Sequence, residues 1–510
     1  MDAKKWKLAM LEEWHSILCN KTFQAFQEQE HPSEATKAVN PNEFESLTPL
    51  DIPGHIKSIG SKWVYKTKLN PNGTTRYNVR LVIHGFQQAP EVNFGETYAP
   101  LSKLSTFRFL LALAAPNGWQ IDHLDFVTAF LNPEIDRETV FMTLPLEMDS
   151  VDPCFSAIHV VRLRKALYGL RQAPLLWYKE IHKFLLSIGF SQSTVDSNLY
   201  YGKGIILLLY VDDILLINTH KNSVDTLNQI KQTLQAKNRM TNLGRARRFL
   251  RIQITQYYPA NGIHIDQEAY ILTILKRFLM SSVKDTLSPM DPNVNINNNQ
   301  CEDKPGNTQL YLSMVGSLMY AAMGTHPDLA FCVAALSGHN QRPLQMHLTA
   351  AKRALRYLKR TATFALYYSR QSDRENGPPI GFTDSDWAGN QATRKSMGGY
   401  IFGSGDVMIE TKVAGSGAVS WQAKSQSVVA LSTLEAEYIA CSDETRAALW
   451  LWGLYQQTTQ YLAPFQPPIS CPIRIACDNQ VAFLLIKTGI TKQKTKHIAV
   501  KYHQSHDEQL

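Results

Sequence analysis

A chain of 510 residues with 44% hydrophobic content is globular but too long for one ordinary core, so two or more domains are expected. Its net charge of +8 favours an acidic partner such as nucleic acid. Seven scattered cysteines without a CxxC pair argue against a disulfide framework or zinc site; no leader pattern opens the chain, and apolar runs such as 205–211 fall far short of a membrane span, so an intracellular, membrane-free protein is expected.

In chain order, "MDAKKWKLAMLEEWHSIL" has the pattern of an amphipathic helix. "SKWVYKTKLNPNGTTRYNVRLVIHG" alternates on both sides of Asn70–Gly73, which predicts a hairpin. "LSTFRFLLALAA" predicts a helix stopping at Pro116–Gly118, and "HLDFVTAFL" and "VFMTLPL" predict strand or strand-to-helix segments. "APLLWYKEIHKFLLSIGF" reads as a helix that stops at Gly189. "IILLLYVDDILLI" (205–217) predicts two short buried strands turning at Val211–Asp213, and "SVDTLNQIKQTLQ" a helix capped by Ser223. Residues 288–308 are Asn- and Pro-rich and predict a linker. In "LTAAKRALRYLKR", Leu348, Ala351, Leu355 and Leu358 form one face; Lys352, Arg353, Arg356, Lys359 and Arg360 form another. That basic face and "GRARRFLR" (244–251) fit either solvated surface or phosphate-backbone contact. After a polar break at 369–379, residues 380–510 read as strands, helix, strand and a basic tail.

Asp212 and Asp213 stand side by side inside an apolar run. A solvated turn or a helix cap would account for two acids there. Held among apolar walls, a carboxylate pair shifts its pKa or neutralises unless a cation joins it. Asp125 ends another short apolar strand and could add a third carboxylate. Template-directed polymerisation uses two divalent cations about 4 Å apart, held by oxygen donors, which is what such a set offers. A second set is Asp384 at a predicted strand end, Glu437 near the start of a predicted helix and Asp478 at another strand end. Asp386 and Glu435 read as surface or turn residues.

"YVDD" (210–213) resembles the metal-binding turn of reverse transcriptases. "LDFVTAFLN" and "KALYGLRQAPLLWY" (165–178) resemble the other palm motifs of copia-type LTR retrotransposons, and "RYNVRLVIHGFQQ" (76–88) their fingers. "YLSMVGSLMYAAMGTHPD" and "AKRALRYLKRT" resemble the segment joining polymerase to ribonuclease H; "FTDSDWAG", "STLEAEYIA" and "IACDNQ" resemble that ribonuclease H. The likeness runs in the family's order along nearly the whole chain.

The resemblance implies an α+β fold. A right-hand polymerase would have fingers and palm over 1–235 and a thumb over 236–290, followed by a linker and connection helices over 291–375 and a ribonuclease-H-like α/β domain over 376–510. It implies RNA- and DNA-directed DNA synthesis in retrotransposition, with Mg²⁺ (Mn²⁺ as substitute) in each active site. Implied partners are an RNA template, a DNA primer, RNA–DNA hybrid and deoxynucleoside triphosphates; implied locations are a cytoplasmic virus-like particle, the nucleus, or both. Asp125 and Asp212 would bind both metals with Asp213 assisting, next to Tyr210 of the turn. Phe130 would clash with a ribose 2′-hydroxyl, Arg80 would lie over the triphosphate, and Tyr168, Gly169 and Arg171 would support the templating pair. Apart from the neighbouring motifs, Phe130 would read as a core aromatic and Arg80 as a solvated strand charge.

Asp384, Glu437 and Asp478 match three of the four family nuclease acids, which hold metal. The fourth is expected past "KHIAVKYH" (496–503); Asp507 comes too early, so a C-terminally truncated nuclease of weak activity is expected. Asn78 and His84 stand where the family carries basic residues, and Arg251 where it carries glycine. With no protease or integrase sequence upstream, the alternative is an inactive element fragment that binds nucleic acid without catalysis.

Overall fold

The computed structural model describes residues 2–23, 57–69, 75–135, 140–152, 160–219, 224–257, 262–297, 304–369, 378–403, 417–462 and 472–488. The predicted turn at Asn70–Gly73 and cap at Ser223 lie outside these residues, as does the tail with Asp507.

Helix α1 (Asp2–Cys19) lays Met10, Trp14 and Ile17 on an antiparallel hairpin of β1 (Ser61–Leu69) and β2 (Thr75–Ile83). Strand alternation sends Val79, Leu81 and Ile83 into that core and leaves Arg80 exposed. Helix α2 (Leu104–Asn117) ends at Gly118, whose φ of 63° suits glycine, with Pro116 in the last turn.

Next come β3 (Gln120–Phe126), β4 (Val140–Thr143), α3 (Met148–Val151), β5 (Val160–Leu163), α4 (Ala173–Ser187), β6 (Ser191–Gln192), β7 (Leu199–Gly202), β8 (Ile205–Tyr210), β9 (Asp213–Asn218), α5 (Val224–Lys237) and β10 (Met240–Arg245). Six of these strands form a sheet in the order β10-β3-β9-β8-β7-β6, antiparallel at every pairing. Ile206, Leu208, Leu215 and Ile217 pack towards α2, while Leu207, Leu209, Ile214 and Leu216 pack towards α4 and α5. Burial on both faces explains why these strands read as unbroken apolar runs. Each such side chain contributes about 1.5–3 kcal/mol, so the turn carrying Asp212 sits on a firmly anchored hairpin.

A four-stranded sheet follows, with β11 (Arg248–Phe249), β12 (Ile252–Tyr257), β13 (Gly262–Asp266) and β14 (Ala365–Ser369) in that order. Helices α6 (Glu268–Arg277), α7 (Thr308–Gly324), α8 (Ala330–Ser337) and α9 (Gln345–Arg360) share one core beside it. Because β14 returns to pair with β13, the stretches 236–290 and 291–375 share both a sheet and a core.

The predicted linker is corrected over its described part. Ile296 is buried in the helical core, and its carbonyl accepts from His347 Nε2 at 2.9 Å. Four of the five cations on the basic face of α9 find partners within the chain, while Lys352 stays exposed. Arg353 pairs with Asp291 and Arg360 with Asp285, each at 3.2 Å. Arg356 donates to the Lys284 carbonyl and Lys359 to that of Val283. These cations hold the chain's own 283–291 segment, an intramolecular anion-and-carbonyl partner the composition concealed.

The last sheet has the order β17-β16-β15-β18, built from β15 (Ile380–Ser385), β16 (Met397–Gly403), β17 (Ala418–Ser425) and β18 (Ile475–Cys477), with β18 parallel to β15. Helix α10 (Thr433–Leu462) begins over this sheet, and α11 (Gln480–Thr488) follows β18. At about 1.5 Å per residue α10 is about 45 Å long, and its second half packs under the six-stranded sheet through Leu451, Leu454 and Tyr455. Tyr201 and Thr458 hydroxyls meet there at 2.8 Å, and Ser193 donates to Gln457 at 2.6 Å. Arg108 of α2 is the other tie: it donates to the Val419 carbonyl of β17 and the Met323 carbonyl of α7, each at 2.7 Å, and its guanidinium lies 3.8 Å from the Trp421 ring centre. Burial pulls this arginine down to about 10. Among the described residues, no helix is long and apolar enough to cross a membrane.

Candidate active site

The antiparallel register of β3 and β9 sets Asp125 opposite Asp213. The β8–β9 connection leaves only Val211 and Asp212 between paired Tyr210 and Asp213. Val211 has φ 55°, a left-handed conformation that costs a β-branched residue on the order of 1–3 kcal/mol. Two hydrogen bonds hold the turn there: Trp177 Nε1 donates to the Val211 carbonyl at 2.8 Å, and the Phe126 N–H to the Asp212 carbonyl at 2.7 Å. Strain retained at a turn carrying two acids marks a place where geometry has been kept for use.

His123, two residues before Asp125 and therefore on the same strand face, places Nε2 2.7 Å from Asp213 Oδ1. That contact orients one carboxylate of the set. Sequence reading passed over His123, although the period-two spacing from Asp125 could have found it. On the opposite face of β3, Asp122 pairs with Lys231 of α5, and both are buried.

Tyr168 gathers the other residues. The Arg80 guanidinium lies 4.4 Å from its ring centre, and Phe130 meets it edge-on at 5.8 Å. Burial pushes the Tyr168 hydroxyl up; Arg80 opposes this, and Glu13, Asp212 and Asp125 add to it. Arg80 and Phe130 thus meet at Tyr168, whose hydroxyl feels the charge of Asp212 and Asp125. Glu13 of α1 is a second residue sequence reading missed. It shares the buried helix face of Met10, Trp14 and Ile17, an acid at apolar spacing, and that was the available signal. Burial raises it to about 7, against the pull of Arg80 and a hydrogen bond from the Leu81 N–H.

Gly169 has φ 98°, and a Cβ there would meet the Ile83 carbonyl oxygen at 2.2 Å, so only glycine fits. Arg171 donates from Nε to the Gly85 carbonyl at 2.9 Å, and its backbone N–H reaches Gln88 Oε1 at 2.8 Å. Gly169 and Arg171 thus fasten the segment after β2 to the segment before α4. Tyr210 is half-buried with its ring edge-on to Phe249 at 6.2 Å. Arg251 is exposed with φ 59°, where a glycine would sit without strain.

The second acid set forms at the other end of the molecule's sequence. Parallel pairing aligns Thr383 with Cys477, which puts Asp384 and Asp478 at adjacent strand ends. The Glu437 carboxylate, Cys477 sulfur and Asp478 carboxylate lie within 4.8 Å of one another. Burial pushes Glu437 up to about 7, with further contributions from Cys477, Asp384 and Asp478. Cys441, one helical turn beyond Glu437, hydrogen-bonds Cys477; this draws the Cys477 thiol down to about 7 and pushes the buried Cys441 up.

Two sequence readings change here. Glu435 is buried, not a surface residue: its Oε2 accepts from the Leu431 N–H at 2.7 Å and closes the start of α10. The scattered cysteines, read as arguing against a metal site, include two that the fold brings together among carboxylates. Asp386 is exposed and accepts from the Met397 N–H, as a turn residue does.

The two donor sets differ in chemistry. Register brings the backbones of Asp125 and Asp213 together with Asp212 in the turn, three acids whose oxygen donors suit hard divalent cations, but among the described residues only Glu437, Cys477 and Asp478 have ligand atoms within 4.8 Å of one another.

A family model described as "Reverse transcriptase (RNA-dependent DNA polymerase)" matches residues 44–292. The chain is 33% identical over 467 residues to the "Retrovirus-related Pol polyprotein from transposon TNT 1-94" of Nicotiana tabacum, covering 89% of this chain and 33% of that protein. It is 32% identical to the corresponding polyproteins from transposons RE1 and RE2 of Arabidopsis thaliana, each covering 88% of this chain and 29% of the relative. The chain belongs to the reverse transcriptase family found in the Pol polyproteins of copia-type retrotransposons. It spans about a third of the length of these curated relatives.

Proposed function

We propose that this chain is an RNA- and DNA-directed DNA polymerase of a copia-type retrotransposon, acting by two-metal nucleotidyl transfer. Residues 1–235 serve as fingers and palm, 236–290 as thumb, 291–375 as connection and 376–510 as a ribonuclease-H-like domain. The observation that carries the reading is Asp125 facing Asp213 across β3 and β9 with Asp212 in the adjoining turn. Asp125 and Asp212 hold Mg²⁺, or Mn²⁺ in its place, and Asp213, oriented by His123, assists. When bound, such ions lower the pKa of the primer 3′-hydroxyl and neutralise triphosphate charge.

Arg80 presents its planar fork to the triphosphate, and Tyr168 braces it from below. Phe130, wedged against Tyr168, rejects a ribose 2′-hydroxyl. Gly169 and Arg171 set the floor under the templating pair, and Tyr210 leads into the turn. The exposed arginines 247, 248 and 251 contact phosphates of primer and template irrespective of sequence. Asp384, Glu437 and Asp478 are three of the four acids of a site for RNA–DNA hybrid whose cleavage is weak or absent without the fourth. The setting is a cytoplasmic virus-like particle, the nucleus, or both.

Purified protein given a primed RNA template, deoxynucleotides and Mg²⁺ extends the primer, and Asp212→Asn abolishes extension. Equal inertness of wild type and variant sinks the reading. A second reading, a nucleic-acid-binding relic without catalysis, draws on one observation. Arg251 occupies a left-handed conformation where the family resemblance implies glycine. Salt-sensitive filter binding without synthesis supports it, and turnover removes it.

A further inference from the structure

We propose that Glu437, Cys477 and Asp478 form a binding site for a thiophilic divalent cation of the zinc class, one that competes with hard ions for the same carboxylates. The binding step stands on the donor geometry alone; its consequence for hybrid cleavage rests on the nuclease reading above.

The three ligand atoms lie within 4.8 Å of one another. A tetrahedral zinc holds sulfur and oxygen donors about 3.5 Å apart, so modest side-chain rotation closes the set. Glu437 supplies an independent sign that something belongs there. It is 6% exposed, and its Oε2 is buried with no hydrogen-bond partner. A buried acceptor left unfilled is costly, and a cation at this point would fill it.

Hard cations select all-oxygen donors, whereas a thiolate selects zinc-class ions. Cys477 therefore changes which ion this cluster prefers. Binding forms a metal–sulfur bond and sends the thiol proton to solvent. Cys441 lies four residues after Glu437 on α10 and hydrogen-bonds Cys477, which orients that sulfur without adding a ligand. The bound ion bridges α10 to the end of β18 and engages two of the carboxylates that hybrid cleavage would need. Zinc then acts as an inhibitor of that site, leaving the Asp125 cluster untouched.

The test uses the full chain and Cd²⁺ as a spectroscopic stand-in. Titration should raise an ultraviolet sulfur-to-cadmium charge-transfer band that saturates near one equivalent, is displaced by Zn²⁺ and survives excess Mg²⁺. Cys477→Ser should remove the band. Glu437→Gln and Asp478→Asn should each weaken binding by roughly ten- to a hundredfold. A band that persists in Cys477→Ser, or that Mg²⁺ displaces, overturns the proposal. If Cys477→Ser fails to fold, the thermal midpoint decides: at one Zn²⁺ concentration it should rise clearly more in wild type than in Glu437→Gln, and equal shifts overturn the site. Absence of Mg²⁺-dependent hybrid cleavage would remove the nuclease reading while leaving a saturating, Cys477-dependent band intact.

Discussion

The two carboxylate clusters are built in opposite ways. The first stands on two adjacent antiparallel strands and the turn that joins one of them to β8, with apolar layers on both sides of the sheet. Its acids come with cationic or polar company: His123 on Asp213, and Arg80 a ring's breadth away over Tyr168. The second is assembled from a strand end, a helix and a second strand end, and its company is thiols and more acids. Crowded negative groups under burial raise one another's pKa, which is what Glu437 and Glu444 display.

Four measurements break or sharpen this contrast. The largest effect is expected at Arg108, which ties α2 to β17 and α7 and so joins the two regions. Arg108→Leu strands the Val419 and Met323 carbonyls and should lower unfolding free energy by about 3–5 kcal/mol in denaturant melts. A loss under about 1 kcal/mol would mean that the α10 packing alone unites them.

Glu444 tests the crowding directly. Burial, then Cys477, raise its pKa from 4.5 to about 9. The folded protein holds that proton more tightly than the unfolded chain. Its contribution is thus fully present below pH 4.5 and is lost as pH rises through about 9. Glu444→Gln should flatten the fall in stability across that window. An unchanged pH profile removes the crowding account.

His123→Phe asks whether the imidazole orients the first cluster. Primer extension should fall about ten- to a hundredfold, as for loss of a group that supports a metal ligand, with the melting curve nearly unmoved. Full activity would mean that the turn alone fixes Asp213. The smallest effect is at Arg251: replacement by glycine relieves a left-handed backbone and should stabilise the fold by about 1 kcal/mol, read as a shifted denaturation midpoint. If primer extension rises as well, the strained arginine was limiting the polymerase.

Much of the first region was legible in the sequence because its signals are local. Alternation predicted the β1–β2 hairpin, helical spacing predicted α1, α2 and α4, and a short apolar run split by two acids predicted β8 and β9. What escaped depends on partners distant in the chain. Composition marked 288–308 as linker, but Ile296 finds a core built from α7, α8 and α9. The basic stripe of α9 looked free because its acceptors, Asp285, Asp291 and the carbonyls of 283 and 284, come more than sixty positions earlier. Glu435 looked like surface although Ser432-x-x-Glu435 carries a helix-start pattern in the sequence; its burial is set by the sheet under α10.

Residue types and their periodicity determined, without any coordinates, which acids to suspect and on which kind of element each would lie. Side-chain direction follows from backbone period, and that is a property of neighbouring residues. Tertiary structure alone decided the company each acid keeps: His123 beside Asp213, Glu13 near Arg80, and the thiols of Cys441 and Cys477 beside Glu437. Charge and donor chemistry act through space over a few ångströms, and only folding brings residues separated by tens or hundreds of positions within that range.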